Sequence, residues 1–295
     1  MTSPAPAARS AVILGSGVWH VLRRRAGITM GEGRPRPTPF GPSRPIFEAA
    51  LAGGRTVLLL TRHGEEGYDL GAWAVNYRAN LWALKDLGAD LVLSTSACGG
   101  VDPRLLVGTF VVPHDILDAT TGRAKTFFER SGLGVVRHAQ PFCPALEAAL
   151  AEALASLGVR HRVGGVYACT DGPRLETPAQ VRALAAQGAT LVGMTVAPEW
   201  ALARELELCY ATLSWIVNPA EGVLPRPYRP DVLFEGMATS EEREAGDRAA
   251  ERVPEILAAA LERVGPDRPC YCRRAMERYR KRGEIGSDFR TWTGG

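Results

Sequence analysis

The chain has 295 residues, 46% of them hydrophobic, which is enough apolar content for one large α/β domain with a buried core. Its formal net charge of +3 is local: residues 265–295 hold eight basic against four acidic side chains, a surplus of +4, leaving about −1 over residues 1–264. A near-neutral body has no polyanion-binding signature, so nucleic acid is not an expected partner.

Residues 1–17 carry one Arg and an apolar stretch too short for a secretory signal, and no run approaches the ~18 apolar residues of a membrane span. A cytoplasmic protein with no membrane contact is expected. Residues 11–14 (AVIL) end in Gly15-Ser16-Gly17, the pattern of a buried strand entering a tight turn. Residues 31–45 hold too much Pro and Gly for regular structure. A second strand is predicted over 56–60 (TVLLL), ending at Thr61-Arg62-His63-Gly64, then a helix over 75–87 stopped by Gly88. A third strand over 91–93 leads into a small-residue loop, STSACGG, at 94–100, and a fourth covers 110–113.

Residues 144–157 form an amphipathic helix closed by Gly158. Beyond it the pattern predicts a strand over 164–169, a helix over 177–187 with Pro178 in its first turn, a strand over 191–194, a helix over 198–205 and a strand over 210–217. Residues 239–264 read as a long charged helix interrupted or kinked at Pro254. The alternation predicts a single α/β domain over residues 1–264, with a mixed twisted β-sheet flanked by helices. Residues 265–295 are expected to be a basic, flexible C-terminal extension.

Cys98, Cys143, Cys169, Cys209, Cys270 and Cys272 are scattered along the chain, and the first four read as buried free thiols. Cys270-Tyr271-Cys272 lacks the C-x-x-C spacing and a neighbouring His, so neither a metal site nor a disulfide framework is expected.

The candidate chemistry lies at strand ends, where an open α/β sheet places its ligand crevice. Ser16 offers a hydroxyl among exposed N–H groups, Arg62 a bidentate fork and His63 a second donor for a phosphate. Ser96, with Ala97, Cys98 and Gly99, supplies another hydroxyl and a loop where a flat ring can approach backbone, and Thr195 after Met194 a third hydroxyl. Taken singly, a tight turn, a surface Arg and a capping His explain these residues as well; together they make an anion pocket. Glu176 accepts hydrogen bonds and Asn218 both donates and accepts, a combination that matches the N–H beside C=O of a 6-oxopurine. Glu176 equally fits a cap on the helix starting near Thr177.

The blocks TPFGPS (38–43), VNYRANLWALK (75–85), ACGG (97–100), GVYACTDGPRLET (165–177), VGMT (192–195), PE (198–199) and VNPAEG (217–222) stand in one order and spacing. In these the chain resembles, over residues 12–264, the trimeric purine nucleoside and methylthioadenosine phosphorylases, above all the bacterial methylthioinosine subgroup. The resemblance implies a nucleoside phosphorylase-like fold, a homotrimer, and inorganic phosphate as co-substrate with no cofactor. It implies phosphate contacts from Ser16, Arg62, His63, Ser96, Ala97 and Thr195, and ribose packing on Met194. It places the base by Cys98, Gly99, Leu175, Glu176 and Asn218, with Leu175 where relatives often carry Phe, and gives Asn218 the catalytic task at purine N7. Relatives that cleave adenine nucleosides carry Asp at the Asn218 position and a second where Ala220 stands, so 6-oxopurine is the expected base.

Enzymes for ordinary nucleosides bind the 5′-hydroxyl with a C-terminal His, but the last His here is His161. A 5′-deoxy sugar, such as that of 5′-methylthioinosine, is expected. The alternatives are a methylthioadenosine phosphorylase and a non-catalytic purine-nucleoside-binding homologue. Residues 65–74 and 223–236 depart from the family pattern, as does Val135, where relatives can present a His to the neighbouring subunit; His138 follows three residues on.

Overall fold

Strand β1 (Arg9–Leu14) is the apolar run at the start of the chain, buried from Ser10 onward. The structure is a computed structural model that describes residues 9–15, 17–25, 27–51, 54–65, 69–226 and 239–293. There follow α1 (Val18–Arg24), β2 (Thr29–Met30), β3 (Ile46–Ala50), β4 (Thr56–Thr61), α2 (Tyr77–Asp86), β5 (Ala89–Gly100), β6 (Phe110–Val112) and β7 (Asp115–Asp118). The second half holds α3 (Pro144–Ser156), β8 (His161–Val163), β9 (Val166–Cys169), α4 (Pro178–Ala186), β10 (Leu191–Gly193), α5 (Val196–Glu205), β11 (Cys209–Pro219), α6 (Ser240–Arg263) and α7 (Glu277–Lys281).

Among the described residues the strands form one mixed eleven-stranded sheet in the order β2-β3-β4-β1-β5-β10-β9-β7, with β11 on β5 and β6, and β8 on β6. β1, β4 and the first half of β5 are nearly continuous apolar runs, the pattern of strands covered on both faces. β5 is the hub: it pairs parallel with β1, parallel with β11 along its length, and antiparallel with β10 at Gly99 and Gly100. Its twelve residues absorb the predicted loop at 94–100, because β11 and β10 supply hydrogen-bonding partners that keep STSACGG extended. Parallel β1, β4, β5 and β11 therefore end on one side of the sheet, which brings Gly15, Arg62, Ser96 and Asn218 to a common edge.

The layers on the sheet follow from helix patterning. α6 buries Gly246, Ala249, Val253, Ile256, Leu257, Ala260 and Leu261, a stripe at three- and four-residue spacing, and packs on α1, α3 and β11. α2 packs on α5 and β5. The assigned helix α6 continues through Pro254 rather than being interrupted there.

The C-terminal segment departs from the expected flexible extension. Cys272, Met276, Tyr279, Ile285, Phe289 and Trp292 are buried in the main core cluster. Phe289 packs edge-on to Trp82 with ring centroids 4.8 Å apart, the Tyr279 hydroxyl donates to the Val135 carbonyl and accepts from the Val135 N–H, and Arg280 ion-pairs with Glu207. The density of Arg in this segment masks an apolar face that a flexible tail would not need.

Candidate active site

Two glycines shape the crevice. A Cβ on Gly15 would stand 2.8 Å from the Thr95 carbonyl oxygen, so only glycine lets the end of β1 lie against β5; the Gly15 N–H donates to Thr95 Oγ1 at 2.7 Å. A Cβ on Gly193 would stand 2.1 Å from the Tyr167 hydroxyl and 3.2 Å from the Cys98 sulfur. Ser16, the expected hydroxyl of the first turn, lies outside the described residues.

Arg62 is fully buried directly after β4. Its Nε and Nη2 donate to the two Glu199 carboxylate oxygens at 2.6 and 2.9 Å, and Nη1 donates to the Thr95 carbonyl at 3.1 Å. Burial opposes the guanidinium charge, but Glu199 outweighs it and holds Arg62 protonated above its ordinary range. Glu199 is oriented in turn by the Tyr210 hydroxyl at 2.8 Å, itself bonded to Ser94 at 2.7 Å. In the sequence Pro198-Glu199 is legible only as a family block, because an acid in the first turn of a helix after a strand end is a weak signal without the fold.

His63 is buried, and its Nδ1 lies 2.8 Å from the Leu70 carbonyl. A carbonyl only accepts, so Nδ1 carries the proton and Nε2 is the acceptor of the neutral ring. Burial first, then the Arg62 charge, lowers its pKa to about 4, so the ring is neutral at pH 7. That differs from the donor expected at this position. With Arg62 neutralised by Glu199 and His63 uncharged, the edge offers an anion mostly dipoles and hydroxyls.

Those hydroxyls do converge. Ser96 Oγ lies 3.4 Å from Thr195 Oγ1 and 2.8 Å from the Tyr167 hydroxyl, which joins the ends of β5, β9 and β10. Thr195 precedes α5 and its side chain makes no capping bond, and Ala97 lies half-buried beside Ser96. Cys98 is buried, and burial pushes its thiol up to about 11, so it presents a neutral, weakly polar surface. Met194 lies against Gly172, and its carbonyl accepts from Arg123 Nη1 at 2.8 Å.

Arg123 is a second organiser that sequence reasoning missed. It also donates to the Ala197, Thr170 and Asp171 carbonyls at 2.5, 3.2 and 3.0 Å and pairs with Asp171 at 3.1 Å, tying β10 to the 170–176 loop. No motif marks it; Arg123 becomes meaningful only once four carbonyls surround it.

At the other end of the crevice, Asn218 stands in register with Gly99 across β11 and β5, and Gly99 with Val192 across β5 and β10. Asn218 is 8% exposed and its Nδ2 donates to the Pro219 carbonyl at 2.8 Å. Glu176, also 8% exposed, accepts from Thr170 Oγ1 at 2.5 Å, and the Thr170 N–H is bonded to the Gly193 carbonyl at 3.0 Å. Glu176 is not a helix cap: Thr177 caps α4, with a reciprocal bond from Gln180. A cavity of about 320 Å³, lined by Thr121, Thr170, Asp171, Gly172, Arg174 and Glu176 among others, opens beside Glu176, with half-buried Leu175 adjacent in the chain.

Cys143 and Cys209, expected as buried free thiols, are brought into one cluster with Cys270 and Cys272 of the C-terminal segment.

Comparison with known proteins agrees over nearly the whole described body. Residues 10–262 match the phosphorylase superfamily. A protein of Pseudomonas syringae pv. tomato named probable S-methyl-5′-thioinosine phosphorylase is 45% identical over 72% of this chain and 85% of its own length. One of Moorella thermoacetica named probable 6-oxopurine nucleoside phosphorylase is 37% identical over 90% of this chain and 96% of its own. Among solved structures, a methylthioadenosine phosphorylase from an antarctic soil metagenomic library superposes with a TM-score of 0.77 at 28% identity, covering 92% of this chain and 91% of that one.

Proposed function

Because the chain belongs to the phosphorylase superfamily, we propose that it cleaves a 6-oxopurine nucleoside by phosphorolysis, releasing the free base and a ribose 1-phosphate, with 5′-methylthioinosine or a related 5′-deoxy nucleoside as substrate. The observation that carries this reading is the placing of Asn218 in register with Gly99, with Glu176 held through Thr170 to Gly193 on the other side. An amide and a carboxylate flanking a floor of small residues match the edge of a base with N–H beside C=O. Relatives named for 6-oxopurine nucleosides and for S-methyl-5′-thioinosine support the same substrate class.

In this reading phosphate sits over the Ser96 and Thr195 hydroxyls, beside Arg62 and backbone N–H groups. His63 stands next to Arg62 in the same set. Ribose packs on Met194. Phosphate, held under C1′, attacks as the glycosidic bond breaks through a sugar of oxocarbenium character, while Asn218 stabilises charge developing at N7. Ser16 belongs to the phosphate set in the sequence reading, no cofactor takes part, and the assembly is a homotrimer. No helix among the described residues is long and apolar enough to cross a membrane.

The test is to incubate the protein with inosine, adenosine and their 5′-methylthio analogues, with and without phosphate, and follow base release. Phosphate-dependent release of hypoxanthine, fastest from methylthioinosine, is expected. Release without phosphate would overturn phosphorolysis, and no release from any of the four would favour a binding protein. Asn218→Asp is expected to move the preference toward 6-aminopurine nucleosides by about tenfold or more, about 1.4 kcal/mol in transition-state discrimination; an unmoved ratio would remove Asn218 from base selection.

A further inference from the structure

Cys143 stands immediately before α3, Cys209 opens β11, and Cys270 and Cys272 come from the C-terminal segment. Their four sulfurs all lie within 4.8 Å of one another, with Cys209 and Cys270 3.6 Å apart. Cys143, Cys209 and Cys272 are buried and Cys270 is half-buried. Four thiolates around one ion at metal–sulfur bonds of about 2.3 Å place their sulfurs about 3.8 Å apart. The cluster already has close to that spacing, drawn from three separate parts of the chain.

A second, independent observation concerns charge. Arg204 is buried, and its hydrogen bonds go to the Gln140 and Pro141 carbonyls and, at 3.5 Å, to the Cys272 sulfur; no carboxylate is among them. A buried guanidinium without an anion is costly, and a neutral thiol is a weak acceptor that does little to offset it. Four thiolates on a divalent ion carry a net charge of about −2 and supply the missing anion. Arg268, paired with Asp90, stands beside Cys209 and adds a second cation.

We propose that Cys143, Cys209, Cys270 and Cys272 bind one zinc ion that clamps the C-terminal segment to the start of α3 and the start of β11. All four positions are filled by protein sulfur, so the ion has no open position for substrate and its role is structural. Binding converts the four thiols to thiolates and releases their protons to solvent. Cys98 and Cys169, the other two cysteines, are buried in β5 and β9 and stand outside this cluster. The assignment does not depend on which nucleoside the crevice accepts.

The experiment is elemental analysis of the full-length protein, purified without chelator from zinc-supplemented culture, with a cobalt-exchanged sample examined by absorption spectroscopy. About one zinc per chain is expected, with the intense visible bands and near-ultraviolet charge transfer of tetrahedral cobalt thiolate. The pair Cys270→Ser and Cys272→Ser is expected to lose the zinc; if it does not fold, the wild-type cobalt spectrum decides alone. In the wild type, chelation is expected to expose residues 265–293 to protease. Metal-free protein after zinc exposure, whether its cysteines are reduced or joined in disulfides, would overturn the proposal, and stoichiometric iron in place of zinc would overturn the choice of metal.

Discussion

Arg62 illustrates how residue type and residue role separate. The dipeptide Arg62-His63 after a strand is legible as an anion-binding feature, yet the charges that decide its behaviour come from Glu199, 137 residues away. Removing one partner of a buried pair leaves an uncompensated charge, at about 3–5 kcal/mol. Glu199→Gln is therefore expected to destabilise the fold by a few kcal/mol, read as a lower denaturation midpoint, and to raise the KM for phosphate more than the KM for nucleoside. Equal shifts in the two KM values would show that Glu199 supports the fold without positioning Arg62. Glu176 went the other way: of two readings open from sequence, the cap belongs to Thr177, and the carboxylate accepts from Thr170 beside a cavity.

At the scale of elements, α4 matters because its first turn anchors the loop that carries Leu175 and Glu176. Pro178 opens the helix, and the Thr177 side chain accepts from the Gln180 N–H while Gln180 returns a bond to Thr177. Thr177→Ala removes one half of that box and is expected to cost about 1 kcal/mol. It is also expected to raise the KM for nucleoside with phosphate affinity unchanged, since Ser96 and Thr195 sit on other elements; steady-state titration of each substrate separates the two. β5 carries a similar lesson. Its apolar first half reads as strand, but the polar and glycine-rich second half is extended only because β11 and β10 pair with it, a tertiary override of local preference.

For the whole molecule, the C-terminal segment is part of the core. Met276 is fully buried and Tyr279, Phe289 and Trp292 nearly so, around a surface that residues 1–264 would otherwise expose. Met276→Ala is expected to destabilise by about 2–5 kcal/mol, the range for a large-to-small change in a packed interior; a cost below about 0.5 kcal/mol in denaturant unfolding would show the segment to be a solvated extension after all.

What the sequence determined by itself was the fold class and the order of most long elements, because apolar periodicity and ordered motif blocks are local and survive without coordinates. The tertiary structure decided the partners: Glu199 for Arg62, four carbonyls for Arg123, Thr170 for Glu176, and one another for Cys143, Cys209, Cys270 and Cys272. Most of these pairings join positions far apart in the chain, and charge, hydrogen bonding and ligation depend on distance in space. Residue spacing along the sequence carries no record of such contacts until the sheet brings its strand ends together.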